Sequence, residues 1–413
     1  MRIHFIGADG VSMSWLAAYC ESHGNIVSGS DITRGGHRAE NVDNADLVVY
    51  TGAVGGDNIE LCEAKRRCIP VISRAELLGQ VSSTYDRVIA VGGTHGKTTV
   101  TGMLAAVMKN SAVHIGGSIG GSAGRIKGDM LICEACEYKE SFLHIKRDIA
   151  IVLNAEMDHP DYYADECAVL SAFKKFSSAA ETLVTTPQLA EVLCARERVV
   201  AVGAGGDCFV VSFKPKHYVE FSLWGRRLSF ATPLIGAHNA SNLAFAATAA
   251  ALAGADDDDI AFGLTKFRGV DRRLQTVGKL GRTAIISDYA HHPHEIAASI
   301  EAVRASGMKK ILTVFQPHTF SRLNALFGGF VRSLKKTETV ILPVFAAREM
   351  QCGCHDAQSL CDTLAASGGV STYAADFAAA AEIARKKAAA FDAVIIMGAG
   401  DIVILADLLA KGG

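Results

Sequence analysis

Residues 87–108 read RVIAVGGTHGKTTVTGMLAAVM, an apolar strand, a glycine turn and a helix with nothing between them. No other feature constrains the fold as much. A buried strand entering a helix through a glycine loop is the repeating unit of a parallel α/β sheet. It also aims the loop N–H groups and the helix N-terminus at a phosphate. In Gly92-Gly93-Thr94-His95-Gly96-Lys97-Thr98-Thr99, Lys97 is placed to reach terminal phosphates and the Thr98 hydroxyl to sit near Mg²⁺. The strict phosphate-loop pattern needs glycine at 91, where this chain has Val91, so the loop is one residue shorter. A GKT run can arise by chance, and the flanking strand and helix single this one out.

The same rhythm extends both ways. RIHFIG, a helix-period segment from Val11 to His23, NIVSGSD, LVVYTG and PVIS predict a first α/β unit. After the phosphate loop, MLICE, IAIVLN, ETLVTT, RVVAVG and FVVSF read as strands, and HNASNLAFAATAAALAG as a helix. TAIISD, KILTVF, TVILPVF and AVIIMG, separated by helix-period segments, predict a second doubly wound unit. The boundaries expected are 1–85, 86–267 and 268–413.

In the first unit Gly7 and Gly10 bracket a turn after the first strand, and Asp31 ends the second. A dinucleotide fingerprint needs glycine at 7, 9 and 12, and Asp9 and Ser12 break it. The turn reads either as a general nucleotide or phosphate turn or as a plain tight turn. Glu134 ends a strand and His159 follows the next one. Adjacent strand ends converge on one edge, where an acid commonly holds Mg²⁺. The bland alternative for both is a solvated loop.

Composition narrows the classes. The 413 residues carry 41 Lys and Arg against 43 Asp and Glu, which excludes binding of nucleic acid or anionic membrane by bulk charge. With 49% hydrophobic and 20% charged residues, the chain is not disordered. The start, MRIHFIG, reads as a strand and not a signal peptide. Gly398, Gly400, Asp401 and Asp407 break the most apolar tail, so no membrane span is expected. The eleven cysteines are scattered. Cys133/Cys136 and Cys352/Cys354 are lone pairs, expected to be reduced cytosolic thiols. His291 and His292 suggest zinc, but neighbours on one strand face opposite ways and the sequence places no third ligand.

GTHGKTT, EACEYKESFL, NAEMDHPDYY, HNASN, FRGVDRRL, DYAHHPHEI and VFQPHTFSR occur in this order. Together they resemble the Mur ligase family of peptidoglycan synthesis, over most of the chain. The resemblance implies an α/β fold of three domains: an N-terminal Rossmann-like UDP-sugar domain, a central P-loop ATP domain with a mixed sheet, and a C-terminal Rossmann-like amino-acid domain. It implies ATP-dependent activation of a carboxylate as an acyl phosphate, then attack by an amine. Within the family the motifs point to a member joining L-alanine to the lactyl carboxylate of UDP-N-acetylmuramate. The alternatives are a sister ligase that attaches a recycled murein peptide, and a nucleotide-binding paralogue that does not ligate.

Carried over by motif, Gly93 to Thr99 cradle ATP, with Lys97 on the transferred phosphoryl group. Thr98, Glu134 and His159 hold Mg²⁺. His238, Asn239 and Asn242 lie near adenine, Arg272 or Arg273 reaches the phosphates, and Asp288 lies near the nucleotide. Tyr289, His291, His292, His318 and Arg322 line the L-alanine and acyl-phosphate region, His318 being counted as catalytic. Gly7, Gly10, Ser30 and Asp31 lie at the UDP moiety. A cytoplasmic monomer or weak homodimer is expected, with no nucleic-acid or membrane partner. Four departures stand out: Asp9 and Ser12 in the first glycine turn, LVVYTGAV in place of a serine-rich loop, a short segment from Gly116 to Asp129, and a short chain overall. An acid facing a diphosphate repels it unless it points away.

Overall fold

The computed structural model describes residues 1–119, 122–159, 162–193, 198–346, 349–351 and 353–410. The first sheet has four parallel strands in the order Ile26–Ser30, Arg2–Ile6, Leu47–Tyr50, Val71–Ser73. Helix Val11–Ser22 covers it with Met13, Trp15, Leu16, Tyr19 and Cys20. Helix Arg74–Ser82 then leads to the second sheet, its start fixed by a reciprocal Ser73–Glu76 capping box.

The second sheet runs Arg198–Ala201, Thr182–Thr185, Ile149–Val152, Val88–Gly92, Leu131–Glu134, Ala112–Ile119, Ser122–Arg125. All pairs are parallel except the last, an antiparallel hairpin, so the sheet is mixed as expected. The strand before the phosphate loop lies at its centre and all five of its residues are buried. One face packs on the phosphate-loop helix Lys97–Val107 and on helix Ala237–Leu252. Ala240, Ala244, Ala246, Ala247, Ala249 and Ala250 are buried on the latter. Their small side chains let the helices approach closely. A small antiparallel sheet, Cys208–Lys214, Tyr218–Leu223, Arg226–Ala231, closes that core with Val219, Phe221 and Phe230.

The third sheet runs Gln275–Leu280, Thr283–Asp288, Ala393–Met397, Ile311–Phe315, Glu338–Ile341, Ser371–Tyr373. Only its first strand is antiparallel. Separate apolar cores lie on its two faces, as a doubly wound sheet requires.

Every strand quoted from the sequence is present. The pair Tyr218–Leu223/Arg226–Ala231 and the edge strands Ser122–Arg125 and Gln275–Leu280 go beyond the sequence pattern. Arg226–Ala231, Ser122–Arg125 and Gln275–Leu280 are edge strands of mixed polarity, whereas Tyr218–Leu223 is a central, mostly buried strand that Glu220 and Ser222 interrupt in sequence. The expectation that His291 and His292 lie on a strand is corrected. The strand stops at Asp288, and His292 is the N-cap of helix Pro293–Ala305. Among the described residues no helix is long and apolar enough to cross a membrane. Cys133 and Cys136 are free thiols. Cys352 lies outside the described residues.

Helix Asp257–Lys266 packs on the end of the phosphate-loop helix through Gly263, where a Cβ would lie 2.6 Å from Val107 Cα. Helix propensity favours Gly→Ala by about 1 kcal/mol, and this contact opposes it. Gly263→Ala is expected to destabilise the chain by about 1–3 kcal/mol, read as a lower urea midpoint. An unchanged or higher midpoint would show that the helices have room to part.

Candidate functional site

Two glycines make the phosphate loop possible. Gly93 has φ +133° and Gly96 φ +88°. A Cβ on Gly96 would also sit 2.9 Å from Asn242 Oδ1. The loop is strapped by the strand end beside it. His95 N–H donates to Asn154 Oδ1 at 2.8 Å, and Asn154 Nδ2 donates to His95 O at 3.1 Å. The Thr94 hydroxyl donates to Glu156 O and accepts from Glu156 N.

Lys97 is largely enclosed at the loop's centre, its side chain 12% exposed. Its ammonium donates to Gly93 O, to Thr94 O at 3.1 Å and to Glu137 Oε2 at 2.9 Å. Burial alone would lower its pKa, but Glu137, with help from Glu134, raises it above the ordinary value. Sequence reasoning misses Glu137, although it is the second acid of the Glu134-Ala135-Cys136-Glu137 run. Thr98 and Glu134 each pack against strand Ala112–Ile119, at neighbouring glycines. A Cβ on Gly117 would meet Thr98 Cγ2 and one on Gly116 would meet Glu134 Oε1, both at 3.1 Å.

His159 holds a left-handed backbone, φ +53°, which only surrounding structure can impose on a non-glycine residue. Its Nε2 lies 3.7 Å from Glu137 Oε1, and that carboxylate oxygen has no hydrogen-bond partner among the described residues. Glu137, Asp158 and His159 bring their donor atoms within 4.8 Å of one another. Two carboxylates and an imidazole form a donor set that fits Mg²⁺, and it includes His159 of the three expected ligands but not Thr98 or Glu134.

A cavity of about 270 Å³ opens beside the loop, lined by His95, Gly96, Thr99, His238, Asn239, Asn242, Arg273 and Asp288. It joins the P-loop residues, the HNASN segment and the third unit, as the motifs implied. Of the two arginines, Arg273 faces this cavity and donates to Glu295 Oε1 at 3.1 Å. Arg272 turns away to donate to Gly398 O and Gly400 O. Asp288 is buried and accepts from Leu274 N at 2.8 Å and Ala290 N at 2.7 Å. Burial pushes its carboxyl up to about 6, with Arg273 and the two amides pulling it back.

Tyr289, His291, His318 and Arg322 gather on the far side of this cleft. The His291 ring lies 5.3 Å from Tyr289 and 5.7 Å from His318. Burial lowers His291 to about 3, and burial with Arg322 lowers His318 to about 4, so both are neutral near pH 7. Arg322 forms a buried ion pair with Asp158, its Nη2 2.5 Å from Oδ1. Asp158, which sequence reasoning also misses, thereby ties the third unit to the His159 loop.

In the first unit Gly7 has φ +81° and its absent Cβ admits Thr51. Asp9 does not face open turn. It pairs with Arg34 at 2.5 Å and accepts from the Thr33 hydroxyl, while its N–H donates to Asp31 Oδ2. Asp31 caps the short helix Ile32–Arg34. Ser12 accepts from Arg74 and bonds His114 Nε2 at 2.7 Å, so it anchors the first unit to the second sheet. Ser30 is buried and donates to Glu60 Oε2 at 2.6 Å, within a polar core beneath the turn. Burial alone would raise Glu60, but hydrogen bonds from His4, Ser30, Asn41 and Arg38 N hold it at about 2.

Fold and site together define a nucleotide-dependent enzyme whose phosphate loop is completed by residues of a third α/β unit. Comparison with known proteins makes this particular. Residues 2–86 match "Mur ligase family, catalytic domain", 91–251 match "Mur ligase middle domain" and 272–400 match "Mur ligase, glutamate ligase domain". The UDP-N-acetylmuramate–L-alanine ligase of Acetivibrio thermocellus is 35% identical, over 99% of this chain and 96% of its own length. That of Alkaliphilus metalliredigens is also 35% identical with the same coverage. The crystal structure of UDP-N-acetylmuramate-alanine ligase from Thermotoga maritima superposes with a TM-score of 0.83, at 26% identity, covering 100% of this chain and 98% of that one. The chain belongs to the Mur ligase family. Its alignment with the first relative spans 451 positions against 413 residues, so the relative carries segments this chain lacks.

Glu60 carries a pH prediction. Its folded pKa lies below the usual 4.5. Its stabilising contribution is therefore complete above about pH 5 and is lost as pH falls towards 2. Glu60→Gln is expected to flatten the acid limb of stability between pH 5 and 3 by on the order of 2 kcal/mol, measured by denaturant unfolding at stepped pH. Parallel curves for the two proteins would refute the assignment.

Proposed function

We propose that this chain joins L-alanine to the lactyl carboxylate of UDP-N-acetylmuramate, using ATP and passing through an acyl phosphate. The observation that carries this is the 35% identity to L-alanine ligases along essentially the whole chain. The phosphate-loop site assembled across two units supports it. In this reading residues 1–85 take the UDP-sugar, 86–267 the ATP and 268–413 the amino acid.

A carboxylate oxygen of the sugar attacks the γ-phosphorus of ATP and ADP leaves. The neutral L-alanine amine then attacks the acyl carbon, and the tetrahedral centre collapses with loss of phosphate and a proton. Lys97, held protonated by Glu137, and Arg273 stabilise the charge on the transferred phosphoryl group. Thr98, Glu134 and His159 hold Mg²⁺, which neutralises phosphate charge when bound. His238, Asn239 and Asn242 receive the adenine side of the nucleotide, and Asp288 lies near it. His318, neutral beside Arg322, accepts the amine proton as the incoming phosphate charge raises its basicity. Tyr289, His291, His292 and Arg322 shape the acyl-phosphate and L-alanine region. Gly7, Gly10 and Asp31 lie at the UDP moiety, with Ser30 supporting them from below. A cytoplasmic monomer or weak homodimer fits this assignment.

Incubation with UDP-N-acetylmuramate, ATP, Mg²⁺ and either L-alanine or a murein tripeptide tests the reading. Phosphate release with a product mass increased by L-alanine is expected. Product with the tripeptide alone would reassign the chain to peptide attachment, and no product with either would remove the ligase reading. Lys97→Ala is expected to abolish turnover while circular dichroism stays unchanged, and full turnover would overturn the phosphate-loop role. Because Arg34 and Thr33 already engage Asp9, Asp9→Gly is expected to raise the KM for the UDP-sugar about 2–5-fold at unchanged kcat. A lowered KM would show that Asp9 repels the diphosphate.

A further inference from the structure

Two imidazole nitrogens in the cleft, His95 Nε2 and His292 Nε2, are buried and have no hydrogen-bond partner among the described residues. His292 is 4% exposed. One ring lies in the phosphate loop and the other at the N-cap of helix Pro293–Ala305, yet their centroids lie 5.0 Å apart. Glu156 Oε2 sits 3.5 Å from His95 Nε2. One donor atom from each of His95, Glu156 and His292 lies within 4.8 Å of the other two.

We propose that His95, Glu156 and His292 form a site for a transition-metal dication of the zinc class, distinct from the Mg²⁺ group around Glu137. Two imidazoles and one carboxylate form a borderline-soft donor set that suits zinc, cobalt or nickel and is poor for Mg²⁺. Three protein ligands leave a fourth position open to water or a ligand oxygen. The outer partners support the ligands. Glu295 Oε1 lies 3.2 Å from His95 Nδ1, holding a proton there, so that a metal displaces only the Nε2 proton that faces Glu156. His294 Nδ1 lies 2.6 Å from Glu156 Oε2 and holds the carboxylate over the cluster.

Loading needs two adjustments besides loss of the His95 Nε2 proton. A tetrahedral site sets its donors about 3.3 Å apart, so the rings must rotate inward. His292 Nδ1 accepts from His294 N at 3.3 Å, so the His292 proton must move from Nε2 to Nδ1, giving up that bond. Because His95 and Glu156 lie in loops that follow strands of the second sheet and His292 lies in the third unit, a bound ion would staple the two across the nucleotide cavity. This inference does not depend on the ligase reading.

The test is metal titration of the chelator-stripped full-length protein without nucleotide. One equivalent of Co²⁺ should give the visible absorption of a low-coordinate cobalt site. Zn²⁺ should quench it, and millimolar Mg²⁺ should not. His292→Ala and Glu156→Gln should each weaken Co²⁺ binding at least tenfold, while His159→Ala should leave it intact. If His292→Ala does not fold, Glu156→Gln decides alone, since that side chain is 37% exposed. Absence of the band, undiminished binding in Glu156→Gln, displacement by Mg²⁺ or loss in His159→Ala would each overturn the proposal.

Discussion

The structure turns on one largely enclosed cation. Lys97 sits inside a loop of N–H groups at a helix N-terminus, a place already positive. An ammonium there needs a compensating anion, and Glu137 supplies it at 2.9 Å. Glu137 in turn receives nothing on its second oxygen, Oε1, from the described residues, and His159 and Asp158 gather around it. The acid that balances the lysine is thus also the acid that draws the other polar groups into place. Tyr163 fixes its backbone by donating to Glu137 O at 2.6 Å. The strap from Asn154 and Glu156 then sets the loop against the next strand end. Each of these groups lies at the carboxyl edge of a parallel strand, where a doubly wound sheet collects its ligands.

The two outer units are attached to the central one by different physics. The first shares an apolar core with it: Trp15, Leu16, Tyr19, Leu77 and Leu78 pack in one cluster with Val88, Leu131 and Cys133. The Ser12–His114 bond and the Trp15 indole, which donates to Arg125 O at 3.2 Å, add polar stitches. The third unit meets the centre through charged and polar pairs, beside the apolar Ile235, which packs in the third unit's core. Arg322–Asp158, His95–Glu295, His294–Glu156 and Ser118–Asp271 span that boundary. Parting an apolar face exposes it to water at every point, whereas charged groups are rehydrated as they part.

Much of this is legible in the residues. The phosphate loop needs only local rules, because glycine, lysine and threonine at fixed offsets after a buried strand meet one need, a backbone cradle for phosphate. The parallel strands are legible because burial on both faces leaves near-continuous apolar runs. What escapes is long-range pairing. Glu137, Asp158, Glu156 and Glu295 stand in loops and a helix start, unremarkable in sequence until the fold sets each beside a cation or an imidazole. Arg272 and Arg273 are adjacent and equivalent in sequence. The positive φ of Arg272, +59°, is part of a backbone turn that sends one outward and the other into the cavity. Glu156, which the fold sets near His292, lies more than a hundred residues away, in a loop after a strand of the second sheet.

The departures in the first glycine turn show how a sequence oddity becomes physical sense. Asp9 brings an acid, and Ser12 a hydroxyl, to positions where the dinucleotide fingerprint has glycine. Neither change is left alone. Arg34 and Thr33 take up the Asp9 carboxylate, and Arg74 and His114 take up the Ser12 hydroxyl. His114 is buried, and burial lowers it to about 3, so the ring stays neutral as a partner for a hydroxyl. The glycine turn has therefore exchanged openness for tethering. One tether runs to the loop that follows the second strand and the other to the central sheet. What a bare turn achieves by flexibility, this one achieves by holding its neighbours in register.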